Sequence, residues 1–190
     1  MTRLTPRNVS TMSVKERALF ELMADGRELS PDGYIGGPFD AWSLNSSTGR
    51  RIWQLGGSLR WKPTIDRRYV ELAILMTGQQ WQAQFEWFAH EPMAREAGLP
   101  EEVIQAVKNA EEPPFTDNGD ELCWRFCRRL LDRQKIDDTM YEATVAHFGE
   151  PGVGDLINAC GFYTLVSMTL NTFEVDLPEG AEPPFSLQAD

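Results

Sequence analysis

The sequence contains few residues that exchange protons or electrons near neutral pH. Of its 190 residues only two are histidine, His90 and His147, and three are cysteine. Because imidazole titrates closest to neutrality, acid/base chemistry at pH 7 has few candidates here. The cysteines, Cys123, Cys127 and Cys160, are odd in number and form no C-x-x-C pair, so neither a zinc ribbon nor a thioredoxin-type site is indicated. We expect them to be reduced, buried packing residues.

Positive charge and long apolar runs are also scarce. The chain has 18 Lys and Arg against 29 Asp and Glu, a net charge of −11, which disfavours nucleic acid and anionic membranes as partners. No run approaches the ~18 apolar residues of a membrane span, and the first twenty residues lack the apolar stretch of a signal peptide. These absences predict a soluble, cytoplasmic protein.

The sequence also lacks the motifs that mark nucleotide-binding sites, catalytic nucleophiles and metal sites. The sequence contains no G-x-S-x-G, Walker A or G-x-G-x-x-G pattern. His90 and Glu91 open like an H-E-x-x-H zinc motif, but Ala94 occupies the place of the second histidine and Pro92 disturbs the turn between. We therefore expect no metal at this position.

What the chain does contain is apolar residues at helical spacing, without convincing period-2 alternation, which predicts an all-α fold. Capping residues mark the predicted helix starts: Ser13 with Glu16, Ser46 or Ser47, Thr64 or Asp66, Asp117 or Asn118, and Asp137 or Asp138. Glycines mark the predicted C-terminal ends of two helices, at Gly98 and near Gly149. Residues 26–40 are dense in Gly, Pro and Asp and predict a structured loop or arm. Residues 154–173 are apolar almost all round, so this helix is expected to be buried within the chain or by another subunit.

The length and the 42% apolar content suit one globular domain spanning residues 1–190. We expect its core over about 36–178, an N-terminal helix or arm over 1–35, and a tail over 179–190 that is extended or disordered because it is rich in Pro and Glu.

One histidine has a carboxylate at helical spacing. His90 stands four residues after Glu86, so both side chains project from one helix face within pairing distance. A carboxylate beside an imidazole raises the imidazole pKa and orients a ring nitrogen, which prepares it for proton transfer. The alternative is a pair that merely faces solvent.

Two further groups have functional and structural interpretations. Arg60, Arg67 and Arg68 bracket the start of the central helical block and either receive a substrate carboxylate or form surface ion pairs. Trp81, Trp87 and Phe88 either line a pocket or pack in the core.

Residues 68–99 carry a pattern that is similar to a known superfamily. It reads R-x-x-E-L-A-I-L from Arg68, then F-E-W-x-x-H from Phe85 to His90, then H-E-P-M-A-R-E-A-G-L ending at Leu99. The flanking segments GGPFDAW from Gly36 and NTFEVDLP from Asn171 look similar too. The chain resembles the carboxymuconolactone decarboxylase-like and alkylhydroperoxidase-D-like superfamily, in its decarboxylase-like branch.

This resemblance implies an alkylhydroperoxidase-D-like helical bundle assembled as a homo-trimer or homo-hexamer. The thiol-peroxidase branch has a C-x-x-C ahead of the histidine, at positions that are Ala83 and Glu86 here. Thiol peroxidase activity is therefore not expected, because it requires a thiolate.

The resemblance also implies the chemistry and the residues that perform it. It implies a cofactor-free carboxy-lyase-like reaction on a small carboxylated lactone or carbonyl compound. His90 would move the proton, Glu86 would orient it, and Glu71 would be a second acid/base group or polar anchor. Arg68 or Arg60 would hold the anionic group. Trp87, from the aromatic residues at helical spacing, is a further candidate for substrate binding. An isomerase or hydrolase using the same groups, or a non-catalytic oligomeric ligand-binding protein, remain the alternatives.

Overall fold

The computed structural model describes residues 2–5 and 9–186, and within them the chain is helical with no β-strand. A 3-10 turn at Val9–Thr11 precedes the α-helices. These are α1 (Val14–Ala24), α2 (Phe39–Ser43), α3 (Ser46–Trp61), α4 (Arg67–Gln80), α5 (Gln84–Glu96), α6 (Glu101–Lys108), α7 (Asn118–Leu131) and α8 (Asp138–Thr172). The predicted all-α class is confirmed.

Side-chain caps begin most of these helices. Ser13 and Glu16 form the predicted capping box at α1, and Asp66, Asp117 and Asp137 accept backbone N–H bonds at the starts of α4, α7 and α8. The prediction for α3 was wrong by one residue, because Asn45 rather than Ser46 or Ser47 is the cap. The helix runs for 16 residues.

Helix α8 contains the predicted break. Gly149 has φ of 71°, a left-handed conformation that interrupts the helical backbone just before Pro151. Helix α8 packs against α4 and α7. Although α8 is long and apolar enough to cross a membrane by length and composition alone, it is a core helix of this fold, which is consistent with a soluble protein.

Helix α4 is the centre of the molecule. Every residue from Tyr69 to Gly78 is buried, and the helix contacts α5, α6, α7 and α8. Helix α1 is not a detached arm, because Leu19, Phe20 and Met23 are buried in the same hydrophobic core.

The segment after α8 has no helix up to residue 186, and its Phe185 is buried against Trp87. The end of the predicted tail, residues 187–190, lies outside the described residues.

Candidate functional site

His90 lies between two buried carboxyl groups. Its Nδ1 is 2.8 Å from Glu71 Oε2, and its Nε2 is 3.2 Å from Glu86 Oε1. Glu71 projects from α4, whereas Glu86 and His90 project from one face of the adjacent α5. All three residues are at most 5% exposed. The structure thus brings together the three residues predicted to handle protons, and the Glu86–His90 pairing distance expected from their spacing is confirmed.

The two contacts of His90 differ in kind. Nδ1 and Glu71 Oε2 are hydrogen-bonded, and Arg67 Nε contacts the other Glu71 oxygen at 3.4 Å. Glu86 Oε1 has no hydrogen-bond partner, because its contact with Nε2 is close but misaligned. In the neutral tautomer that carries its proton on Nδ1, the imidazole donates to Glu71 and turns the lone pair of Nε2 toward Glu86. The Tyr163 ring holds the imidazole edge-on, with ring centroids 5.1 Å apart.

Burial raises the pKa of the Glu86 carboxyl above its usual range, and nearby Glu71 adds to the rise. His90 and Arg60 oppose it without cancelling it. A carboxyl group with a raised pKa keeps its proton to higher pH than an ordinary glutamic acid, and beside an imidazole it is suited to donate that proton.

We expect Glu86→Gln to flatten the pH dependence of stability. The folded protein keeps a proton on Glu86 above the usual pKa of 4.5, whereas the unfolded chain releases it. The free energy of unfolding therefore falls as pH rises from about 4.5 through the raised pKa, and Gln removes that contribution. Urea unfolding of both proteins across this window measures the slopes. Identical slopes would contradict the raised pKa.

A cavity of about 250 Å³ opens beside this cluster. Glu86 and His90 line it, with Arg60 from α3 and Arg27 from the loop before α2. Seven aromatic rings line the rest, those of Phe39, Trp42, Trp53, Trp61, Phe85, Phe162 and Tyr163. A small apolar pocket with a few convergent polar groups is the usual form of a small-molecule site.

Of the three predicted substrate-binding residues, only Arg60 lines this cavity. Arg68 points elsewhere, because it forms ion pairs with Asp117 at 3.1 Å and with Asp120 at 3.3 Å. These partners place it at the contact between α4 and α7. The structure therefore does not bring Arg68 to the pocket.

Trp87 is fully buried and does not line the cavity either. Its indole N–H donates to Glu91 Oε2 at 3.0 Å, and its ring packs against Phe185. Of the two interpretations open for this aromatic residue, core packing is the one observed.

Sequence reasoning missed most of the pocket lining, including Arg27, Trp42 and Tyr163. Arg27 belongs to a loop identified only by its turn residues, and Tyr163 was counted among the apolar positions of α8. Trp42 lies in the GGPFDAW segment that carries the resemblance, which was the one available signal.

The cysteines are unsuited to peroxide chemistry. All three are free and buried. A hydrogen bond with Cys123 raises the pKa of the Cys127 thiol, one with Cys127 raises the pKa of the Cys160 thiol, and burial acts in the same direction on both. The thiolate, the reactive form, is therefore disfavoured.

We accordingly expect the native protein to resist thiol reagents. An aromatic disulfide reagent at pH 8 should label none of the three cysteines rapidly in buffer and all three in denaturant. The protein should also fail to accelerate the reduction of an organic hydroperoxide by a dithiol. Rapid labelling of the folded protein together with hydroperoxide turnover would contradict this prediction.

Comparison with known proteins identifies the fold. The chain superimposes on the crystal structure of an alkylhydroperoxidase AhpD core, an uncharacterized peroxidase-related protein from Ralstonia eutropha JMP134, with a TM-score of 0.73, 15% identity, and coverage of 94% of this chain and 93% of that one. An uncharacterized peroxidase-related protein from Silicibacter sp. TM1040 gives a TM-score of 0.71 at 13% identity, covering 92% and 91%. No family model and no curated protein matches the sequence. The protein has the AhpD-like fold, as the resemblance implied.

Proposed function

We propose that this protein is an acid/base enzyme of the carboxymuconolactone decarboxylase type. It would act on a small carboxylated lactone or carbonyl compound without a metal or organic cofactor. The observation that carries the proposal is the buried Glu71–His90–Glu86 cluster at the wall of the aromatic cavity. Fold alone does not determine function, so the argument rests on this cluster.

In a decarboxylation, the bond between the substrate carbon and its carboxylate breaks and carbon dioxide leaves. The bonding electron pair passes into the adjacent carbonyl or lactone system as an enolate, and Arg60 offsets its negative charge. Glu86 then donates its proton to the carbon. His90 Nε2 faces Glu86 and returns a proton to it from solvent, while Glu71 holds Nδ1 and fixes the tautomer.

The same groups support two other reaction types. An isomerase would remove a proton from carbon and return it elsewhere, and a hydrolase would direct water onto the lactone. A thiol peroxidase is disfavoured despite the description of the AhpD-core neighbours as peroxidase-related, because the residues at the C-x-x-C positions are Ala83 and Glu86. A non-catalytic ligand-binding protein would retain the pocket without turnover.

The experiment is a panel of small carboxylated lactones and β-keto acids incubated with the protein in deuterium oxide and followed by proton NMR and carbon dioxide release. A decarboxylase gives carbon dioxide and deuterium at the former carboxyl-bearing carbon. An isomerase gives deuterium without carbon dioxide, and a hydrolase opens the ring. Binding of panel compounds without any reaction would overturn the enzyme proposal in favour of a ligand-binding protein.

We further propose that the protein works in the cytoplasm as a homo-trimer or homo-hexamer. Support comes from α8, whose outer face leaves Ile157, Leu165 and Met168 partly exposed at helical spacing. Light scattering coupled to size-exclusion chromatography measures the mass of the assembly, and a mass of 21.6 kDa, that of one chain, would contradict the proposal.

A further inference from the structure

Two residues that line the cavity, Trp42 and Arg60, each have a hydrogen-bond donor without a partner among the described residues. The indole N–H of Trp42 and the Nε–H of Arg60 are both buried, and neither has a hydrogen-bond acceptor among the described residues. Trp42 itself is only 8% exposed. Buried donors are normally paired, because an unpaired one has lost its hydration and gained nothing in exchange. Two of them on one cavity indicate an acceptor that enters from outside.

Two arginines, Arg27 and Arg60, also line the cavity, and each guanidinium lies over an aromatic ring, that of Phe39 for Arg27 and that of Trp61 for Arg60. Arg27 and Arg60 are close enough that Arg60, together with burial, lowers the pKa of Arg27. The Arg27 guanidinium donates to the backbone oxygen of Met23, and Arg60 Nη2 reaches only the weak acceptor Met93 Sδ at 3.4 Å. Neither arginine forms an ion pair within the described part of the chain, unlike Arg68 with its two aspartates. Two guanidinium groups without an ion pair in the described part of the chain, together with a free indole N–H, favour an anion.

The size and the walls of the cavity limit what that anion is. A cavity of about 250 Å³ suits a compact ligand rather than a long-chain one. Its aromatic lining favours a flat ring over an inorganic ion.

We propose that Trp42, Arg60 and Arg27 form an anchoring subsite for the carboxylate of a compact ring compound. The carboxylate accepts hydrogen bonds from the Trp42 indole and from Arg60 Nε, and the ring lies among the aromatic side chains with its reacting carbon toward Glu86. This inference rests on the proposed function for the direction of the reacting carbon. In a decarboxylation the anchored carboxylate is a second one, distinct from the carboxylate that leaves. It stays on the product because pairing with arginine stabilises the ionised group and opposes its loss as carbon dioxide.

Calorimetric titration with benzoate and with its uncharged isostere benzamide tests the subsite in the whole protein. We expect benzoate to bind at least about tenfold more tightly than benzamide, since the anion receives charge-assisted hydrogen bonds. Trp42→Phe keeps a ring and removes the N–H, and it should weaken benzoate binding by about tenfold. Arg60→Gln should remove most of the preference for benzoate. The matched control is Trp124→Phe, which changes an indole that packs on Phe115 outside this cavity and should leave benzoate binding unchanged.

Several results would overturn the proposal. Equal binding of benzoate and benzamide would do so, as would benzoate binding that neither variant changes, or no benzoate binding by a folded protein. Inorganic phosphate binding as tightly as benzoate would show an anion site without ring recognition. Circular dichroism and melting temperatures verify that each variant is folded. If Trp42→Phe does not fold, Arg60→Gln alone tests the subsite. If the protein binds benzoate selectively but turns over no compound of the substrate panel, the proposed function is wrong and the subsite stands. If a panel compound is turned over and Trp42→Phe leaves its KM unchanged, the subsite is wrong and the proposed function stands.

Discussion

His90→Gln is expected to lower kcat on any panel compound that is turned over by about a thousandfold, within the range typical of a lost general acid/base group. Glutamine is similar in length and keeps a polar group near Glu71, but it cannot pass a proton between Glu86 and solvent. Initial rates of carbon dioxide release or of deuterium incorporation measure the effect. Substrate affinity should change far less, because the anchoring donors are on α2 and α3.

The other histidine provides the matched control for this variant. His147 packs edge-on against Tyr69, with ring centroids 6.2 Å apart, and does not line the cavity. His147→Gln should therefore leave kcat within about twofold of the wild-type value. Retained turnover in His90→Gln would contradict the proposed proton transfer.

Stability must be measured beside activity for His90→Gln. Removing the imidazole leaves Glu71 and Glu86 buried without it, and the loss of a buried hydrogen bond costs about 1–3 kcal/mol. A structural role for His90 predicts a variant that unfolds or dissociates. A catalytic role predicts a folded protein without turnover.

The fold was predictable from the sequence because helical periodicity and capping are local. Asp66, Asp117 and Asp137 cap the helices whose starts they were expected to mark, and Gly149 interrupts the helix near the predicted position. The Glu86–His90 contact was predictable for the same reason, since it needs one turn of one helix.

The rest of the site depends on how helices pack, which local patterns do not specify. Glu71 approaches His90 only because α4 lies against α5, and its candidacy came from the resemblance. Arg68 was placed wrongly because its carboxylate partners are supplied by α7, about fifty residues further along the chain. Trp42 was missed because its exposure to the cavity depends on the packing of a five-residue helix against α3 and α8.

Gly49→Ala is expected to destabilise the protein by about 3 kcal/mol. A Cβ at Gly49 would lie 2.0 Å from the backbone oxygen of Trp42 and 2.8 Å from its carbonyl carbon. Because those atoms are backbone, no side-chain rotation relieves the clash, and α2 must move away from α3. The cost of this overpacking exceeds the gain of about 1 kcal/mol that alanine brings to a helix interior. Urea unfolding measures the loss.

The close approach of α2 to α3 at Gly49 also positions the indole of Trp42, so stability and ligand binding should fail together in this variant. Gly57 lies on the same helix, and a Cβ there meets no atom within 4 Å. Gly57→Ala should therefore raise the free energy of unfolding by about 0.5–1 kcal/mol through helix propensity alone. Because Gly57 lines the cavity, its alanine variant is a control for stability and not for ligand binding. If Gly49→Ala is as stable as the wild type and binds benzoate equally well, α2 does not hold Trp42 by this contact. If Gly49→Ala loses both stability and benzoate binding while Gly57→Ala keeps its stability, Gly49 is required because it allows α2 to reach the pocket.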